Sequence, residues 1–207
     1  MKQSELTLAE RAEYLDVATR QSRRIGLLVE QLLEAAKLEA GQVAVNVEPF
    51  PIGELLQDVV QKFALAARDR GVALNVDSMA AATMVNGDIA LLERVLDNLI
   101  DNALRHTPIG GRVTVQSQPR GERIRIAVTD SGPGLTREEA ERAFERFYRG
   151  DPGRSTHSGQ SGLGLAIVKS ILELHGSNVA VKSQPGHGAS FYFELPIVTQ
   201  PPRTAPT

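Results

Sequence analysis

From Thr7 to Gly41 the chain keeps one helical repeat. Tyr14, Ala18, Gln21, Ile25, Leu28, Leu32 and Ala35 recur at alternating steps of four and three residues. That spacing makes a heptad-like seam of the kind used in bundles and coiled coils. Thr7 followed by Glu10 fits a capping box, in which two side chains satisfy orphan backbone donors. Gly41 supplies the stop. A helix over 8–40 would be about 50 Å long at 1.5 Å per residue. It is too long and too one-sided to sit inside a small domain, so it needs partner helices, most simply from a second chain. The plain alternative is a solvent-exposed amphipathic spacer.

The chain has 207 residues, so the stretch beyond this helix has room for one further domain. The 23 basic and 25 acidic residues nearly cancel, for a net charge of -2. This leaves no electrostatic footprint for nucleic acid. There is no cysteine, which removes disulfides, thiolate metal sites and cysteine nucleophiles. No run approaches 18 apolar residues, and residues 1–6 have no signal-peptide core. The chain reads as a soluble intracellular piece.

After Gly41 the period changes. Val43, Val45 and Val47 alternate as a half-buried strand. Pro51 fits the first turn of a helix reaching about Arg70, ended by Gly71. Segments 72–77 and 82–86 read as short strands. Helical spacing returns over 88–104, with Leu91, Leu92, Val95, Leu96, Leu99 and Ile100 on the apolar face. Segments 112–118 and 122–129 form a strand pair turning at 119–121. A short helix over 136–144 comes next, then a polar, glycine-rich loop over 148–160. A helix over 163–175 stops at Gly176, and strands over 179–183 and 190–195 close the sheet. The tail from 196 carries four prolines and reads as disordered. Strands clustering as antiparallel pairs between separated helices predict an α+β two-layer sandwich, with helices on one sheet face.

Three motifs carry chemistry. Asn98, Asn102 and Arg105 stand at i, i+4 and i+7 and share one helix stripe. A carboxamide oxygen is a neutral, hard ligand for magnesium, and an arginine one turn on can meet a phosphate bidentately. The same pattern fits a solvated face of a core helix. Asp130-Ser-Gly132-Pro-Gly134 ends an apolar strand. Its carboxylate can accept from an exocyclic amine, and its glycines admit a flat ring; an ordinary turn has the same composition. Gly159-Gln-Ser-Gly162-Leu163-Gly164 runs into a helix amino terminus, an anion site by its free N–H groups and dipole. It comes after no strand of a βαβ unit and lacks a Gly-Lys-Ser/Thr ending, so neither dinucleotide fingerprint nor P-loop is matched. Gly186 and Gly188 precede the last strand, either as a simple hairpin turn or as part of the same site.

In this order and spacing the motifs resemble the N, G1, F, G2 and terminal glycine boxes of the sensor histidine kinase catalytic domain. That domain shares a superfamily with gyrase-type topoisomerases, heat-shock chaperones and mismatch-repair ATPases. The F box is matched by Phe144-Glu-Arg-Phe147-Tyr-Arg149. The segment ending Leu33-Glu-Ala-Ala-Lys-Leu-Glu-Ala-Gly41 looks like the second helix of the family's dimerisation and phosphotransfer hairpin. The resemblance implies a Bergerat-type ATP fold over 43–198, a remnant dimerisation helix over 1–42 and a free tail over 199–207. It implies ATP and Mg²⁺ as ligands. Asn102 would hold Mg²⁺ with Asn98 assisting, and Asp130 would recognise the adenine amino group. Arg105 and Arg149 would reach phosphates. His106, where the family usually has an aromatic residue, would pack near the nucleotide. Gly132, Gly134, Phe147, Gly162, Leu163 and Gly164 would line the pocket, with 148–160 as its lid. The hydrolysing cousins carry a glutamate at the place of Asn98; an amide is no general base at neutral pH, so transfer to a protein acceptor is implied over hydrolysis.

One departure stands out. His106, His157, His175 and His187 are the only histidines, and none sits in the family's phosphoacceptor setting. The expected reaction is therefore transfer to a histidine-bearing helix supplied in trans, for relay to a response regulator receiver domain, without self-labelling in cis. The resemblance also implies a homodimer through the first helix and a cytoplasmic domain whose parent could be anchored in the inner membrane. Two other readings remain open at this point: an anti-sigma-type serine kinase, and a catalytically idle nucleotide-binding module.

Overall fold

Most of the expected apolar faces meet a partner layer in the computed structural model, which describes residues 7–78, 82–148 and 162–198. The expected lid beyond Tyr148, Arg149 within it, and the tail from 199 lie outside these residues.

Helix α1 spans Leu8–Glu39 and ends as the sequence suggested, with Gln42 N–H donating to Lys37 O and Gly41 N–H to Leu38 O. Its apolar seam is largely bare. Tyr14 is 61% and Ile25 60% exposed, whereas Ala35 and Leu38 are buried at 2% and 5%. This last part of the helix packs against helix α5 (Gly164–Leu174). An ion pair reinforces the seat: Glu34 accepts from Arg94 Nη2 at 2.7 Å and Nε at 3.2 Å. Both side chains are partly exposed, so the pair is worth on the order of 1 kcal/mol or less.

The expected strand at Val43, Val45 and Val47 is absent: the backbone over 42–47 is irregular. Strand β1 begins later, at Glu48–Pro51, where β3 (Met84–Gly87) offers an antiparallel partner. The valine alternation has no neighbouring strand to pair with; the linker is instead tied by Asn46 N–H donating to Asp88 Oδ2 at 2.9 Å. Pro51 ends that strand and forms the N-cap of α2 (Ile52–Asp69) rather than its first turn.

The main sheet has order β2-β4-β5-β7-β6, from β2 (Ala73–Ser78), β4 (Arg112–Arg120), β5 (Arg123–Asp130), β6 (Ala180–Ser183) and β7 (Ala189–Pro196). Three of its pairings are antiparallel, but β2 runs parallel to β4. A parallel neighbour needs a crossover, and α3 (Ile89–His106) supplies it. The β4–β5 hairpin turns at Gly121 and Glu122, since pairing continues through Arg120 and Arg123. One face of β5 and β7 is buried through Ile124, Ile126, Val128, Phe191, Phe193 and Leu195. Helices α2, α3 and α5 cover it. The opposite face is polar: Arg125 lies 4.5 Å over the Tyr192 ring and pairs with Glu194 at 2.8 Å. The architecture is thus the expected α+β two-layer sandwich with a mixed sheet.

Helix α3 forms the centre of the helical layer. Leu92, Val95, Leu96, Leu99, Ile100, Ala103 and Leu104 are buried on one side of it. Its start is fixed by Asp88, whose Oδ1 accepts from Leu91 N–H at 3.1 Å. The backbone N–H of Asp88 in turn donates to His175 Nε2 at 3.0 Å, at the end of α5. Asp88→Ala removes both the cap and the linker tether, so a loss of about 1–2 kcal/mol is expected, measurable as a lower urea midpoint with unchanged slope.

Candidate functional site

The carboxyl-terminal end of β5 delivers Asp130 beneath the last turn of α3. The residue is 6% exposed. Its Oδ1 accepts from Gly132 N–H at 2.8 Å and from Ala189 N–H at 3.3 Å. Among the described residues no donor is recorded for Oδ2. Burial pushes the carboxyl above the usual aspartate range; the two backbone donors and the charge of His106 act the other way.

The turn after Asp130 is pressed between two other segments. A Cβ on Gly132 would stand 2.5 Å from His106 O, at the end of α3. Gly134 and Gly188 have φ of +69° and +74°, and a Cβ on either would run into backbone carbonyls, Gln184 O and Asp130 O respectively. Such positions admit glycine alone at low cost. Gly186 N–H donates to Pro133 O at 2.6 Å. The Gly186–Gly188 turn therefore belongs to the site and is more than a connection.

On α3, Asn98 Nδ2 donates to Arg94 O at 2.8 Å, which leaves Oδ1 for other use. That oxygen lies 2.8 Å from where a Cβ on Gly164 would be, at the amino end of α5. Asn102 stands one turn on, half-buried. Arg105 Nη2 is paired with Asp101 Oδ2 at 2.6 Å along its own helix. Its Nε is buried and has no hydrogen-bond partner among the described residues. Leu163 is buried beside Gly162 and Gly164. Phe147 N–H donates to Gly162 O at 2.9 Å, and Phe147 holds φ +57°, a costly conformation for a bulky side chain. Asn98, His106, Asp130, Gly132, Gly134, Gly162, Leu163 and Gly164 thus lie around the junction of α3, β5 and α5.

The geometry suits a nucleotide: a buried acceptor for an amine, backbone bared for a flat ring, and amides beside a helix amino terminus. A separate cleft of about 440 Å³, lined by Leu38, Phe144, Arg146 and α5 side chains, shares no residue with these loops.

The profile of the histidine kinase-, DNA gyrase B- and HSP90-like ATPases matches residues 87–199. The chain belongs to that family. The sensor-like histidine kinase SenX3 of Mycobacterium tuberculosis is 35% identical over 180 residues, 87% of this chain and 44% of SenX3. The alginate biosynthesis sensor protein KinB of Pseudomonas aeruginosa is 35% identical over 186 residues, 90% of this chain and 31% of KinB. The chain thus spans less than half the length of these curated relatives. Full-length ShkA, crystallised with AMPPNP, superposes with a TM-score of 0.78 at 29% identity, covering 95% of this chain and 41% of ShkA. The catalytic domain is that of the sensor histidine kinases.

Sequence reasoning passed over three groups here. Ala189 contributes only its backbone N–H, which no residue type announces. Ser131 Oγ accepts from Arg112 N–H at 2.9 Å, and Ser183 Oγ accepts from Leu135 N–H at 2.8 Å. The available signal for both was a small hydroxyl residue at a strand end, next to a turn.

Asp130 also makes a stability claim. Its folded-state affinity for the proton exceeds that of the unfolded chain, so stability falls as pH rises through the folded-state value. Asp130→Asn keeps the Oδ1 acceptor and drops the buried charge. The variant is expected to melt at or above the parent temperature at pH 7, with its advantage shrinking as the pH is lowered, as read by differential scanning calorimetry.

Proposed function

We propose that this chain binds Mg·ATP and transfers the γ-phosphoryl group to a histidine on an acceptor helix, for relay to a response regulator receiver domain. The observation that carries the reading is the buried Asp130 carboxylate, with one oxygen committed to backbone and no donor recorded for the other. Adenine's exocyclic amine is a donor of matching size and place. Gly132 and Gly134 flank the ring, and His106 packs near it. Phe147, Gly162, Leu163 and Gly164 close the pocket towards the phosphates, where the amino end of α5 favours negative charge.

Asn98 Oδ1 is a hard, neutral oxygen beside that helix end, so the residues present fit a magnesium ion carried on the phosphates. Asn102 would be its principal protein ligand and Asn98 the second. When bound, the metal neutralises charge on the phosphates. Arg105, released from or shared with Asp101, and Arg149 hold phosphate oxygens. In the transfer, the bond from the γ-phosphorus to the bridging oxygen breaks and a bond to the imidazole nitrogen forms. ADP leaves with the electron pair. No carboxylate stands at Asn98 to activate water, which favours the protein acceptor over hydrolysis.

In this reading residues 1–42 are the second helix of a dimerisation hairpin, 43–198 the catalytic domain and 199–207 a tail. The exposed Tyr14, Ile25 and Leu32 on α1 support burial against helices of a second copy. No helix of the described residues is long and apolar enough to cross a membrane.

Calorimetric titration of Mg·ATP tests the assignment. Asp130→Asn is expected to weaken binding at least about tenfold, because an amide donor then faces the amine. Equal affinity in the two proteins would refute the adenine contact. Asn102→Ala should abolish the gain in affinity that Mg²⁺ gives over EDTA, and leave metal-free binding in place.

A further inference from the structure

We propose that Ser183 is a positioning residue for nucleotide recognition, acting on Asp130 through the two loops that flank it. The inference rests on the adenine-binding reading above. Ser183 ends β6 and pairs with Ala189 across the β6–β7 ladder. Its hydroxyl both accepts and donates. Oγ accepts from Leu135 N–H at 2.8 Å and donates to Gly188 O at 2.6 Å. Leu135 closes the turn that begins at Asp130, while Gly188 closes the turn that presents Ala189. One hydroxyl therefore bolts the two turns together.

The consequence reaches Asp130 by backbone alone. Gly188 lies against the Asp130 carbonyl with no room for a side chain. The next residue, Ala189, gives Oδ1 its second donor, and at 3.3 Å this is the longer of the two bonds. It is the bond most sensitive to a small separation of the turns. Gly186 N–H to Pro133 O is the only other hydrogen bond recorded between the turns among the described residues. Without the hydroxyl, Leu135 N–H and Gly188 O lose their partner and the turns part. Oδ1 then keeps one firm donor, and the carboxylate can rotate away from the amine it must meet.

This role predicts a change in selectivity beyond a change in strength. ATP and purine riboside triphosphate differ by the 6-amino group alone, and only ATP uses the Asp130 contact. The experiment is calorimetric titration of both nucleotides, with Mg²⁺, into the parent chain, Ser183→Ala and Ser183→Thr. Ser183→Ala is expected to lose about tenfold in ATP affinity, the worth of one well-placed hydrogen bond. Its affinity for the analogue should stay within about twofold of the parent, since no contact with that ligand depends on the carboxylate. Ser183→Thr keeps the hydroxyl on a residue that suits a strand, and should restore the discrimination. If Ser183→Ala fails to fold, Ser183→Cys, of similar size with a weaker donor, carries the same comparison. A parallel loss of both ligands would mean a structural role only and overturns the proposal, as does unchanged discrimination. A parent chain that binds both nucleotides equally would refute the Asp130 assignment itself, and is read before any variant.

Discussion

A carboxylate taken out of water must be compensated, and the end of this sheet is organised around that requirement. Asp130 receives two backbone donors on one oxygen, and both come from turns too tight for any side chain but hydrogen. Those turns in turn fix how closely β5, β6–β7 and the end of α3 approach one another. Burial still raises the proton affinity of the group. The fold keeps a carboxyl group where a neutral amide would cost less to bury, which is the usual sign of a residue kept for its chemistry.

Much of this was legible because the chain marks its elements strongly. The seven buried apolar residues of α3 lie on one helical face, and Asp88 stands at its start as a cap. The sheet strands alternate cleanly on β5 and β7. The glycine clusters at 132–134 and 162–164 could be placed at the site because their order matched a known pattern. What escaped was non-local. Nothing in 43–47 records that no strand lies beside it, and nothing in 73–78 says that its neighbour will be parallel. The alternation of Val43, Val45 and Val47 was a true period with no partner. The donor from Ala189 belongs to the backbone, and the bridging of Ser183 exists only once β6 meets β7. Arg105 was readable as a cation near phosphate, but its pairing with Asp101 on the same helix face shows a competing use for that charge.

Helix α1 shows the opposite balance. Its seam was plain in the sequence, yet among the described side chains of α1 only Ala35 and Leu38, near its end, are buried. The Glu34–Arg94 pair lies where cover begins, one helical turn before Asn98 on α3. In proteins most helical stability comes from the packing of an amphipathic face rather than from propensity. The rest of α1 therefore depends for its order on surfaces beyond the catalytic body, while the final turns fix the angle at which it departs.

The position of β7 between β5 and β6 has a consequence for biosynthesis. It is the last strand in chain order among the described residues, yet it sits inside the sheet and supplies Ala189 to Asp130. While the ribosome is still emitting residues before it, β5 and β6 have no common neighbour and the carboxylate has only the Gly132 donor. A nascent chain can thus carry all the earlier motifs and still have no finished pocket. The pocket is finished only when β7 enters between β5 and β6 and joins the two edges of the site.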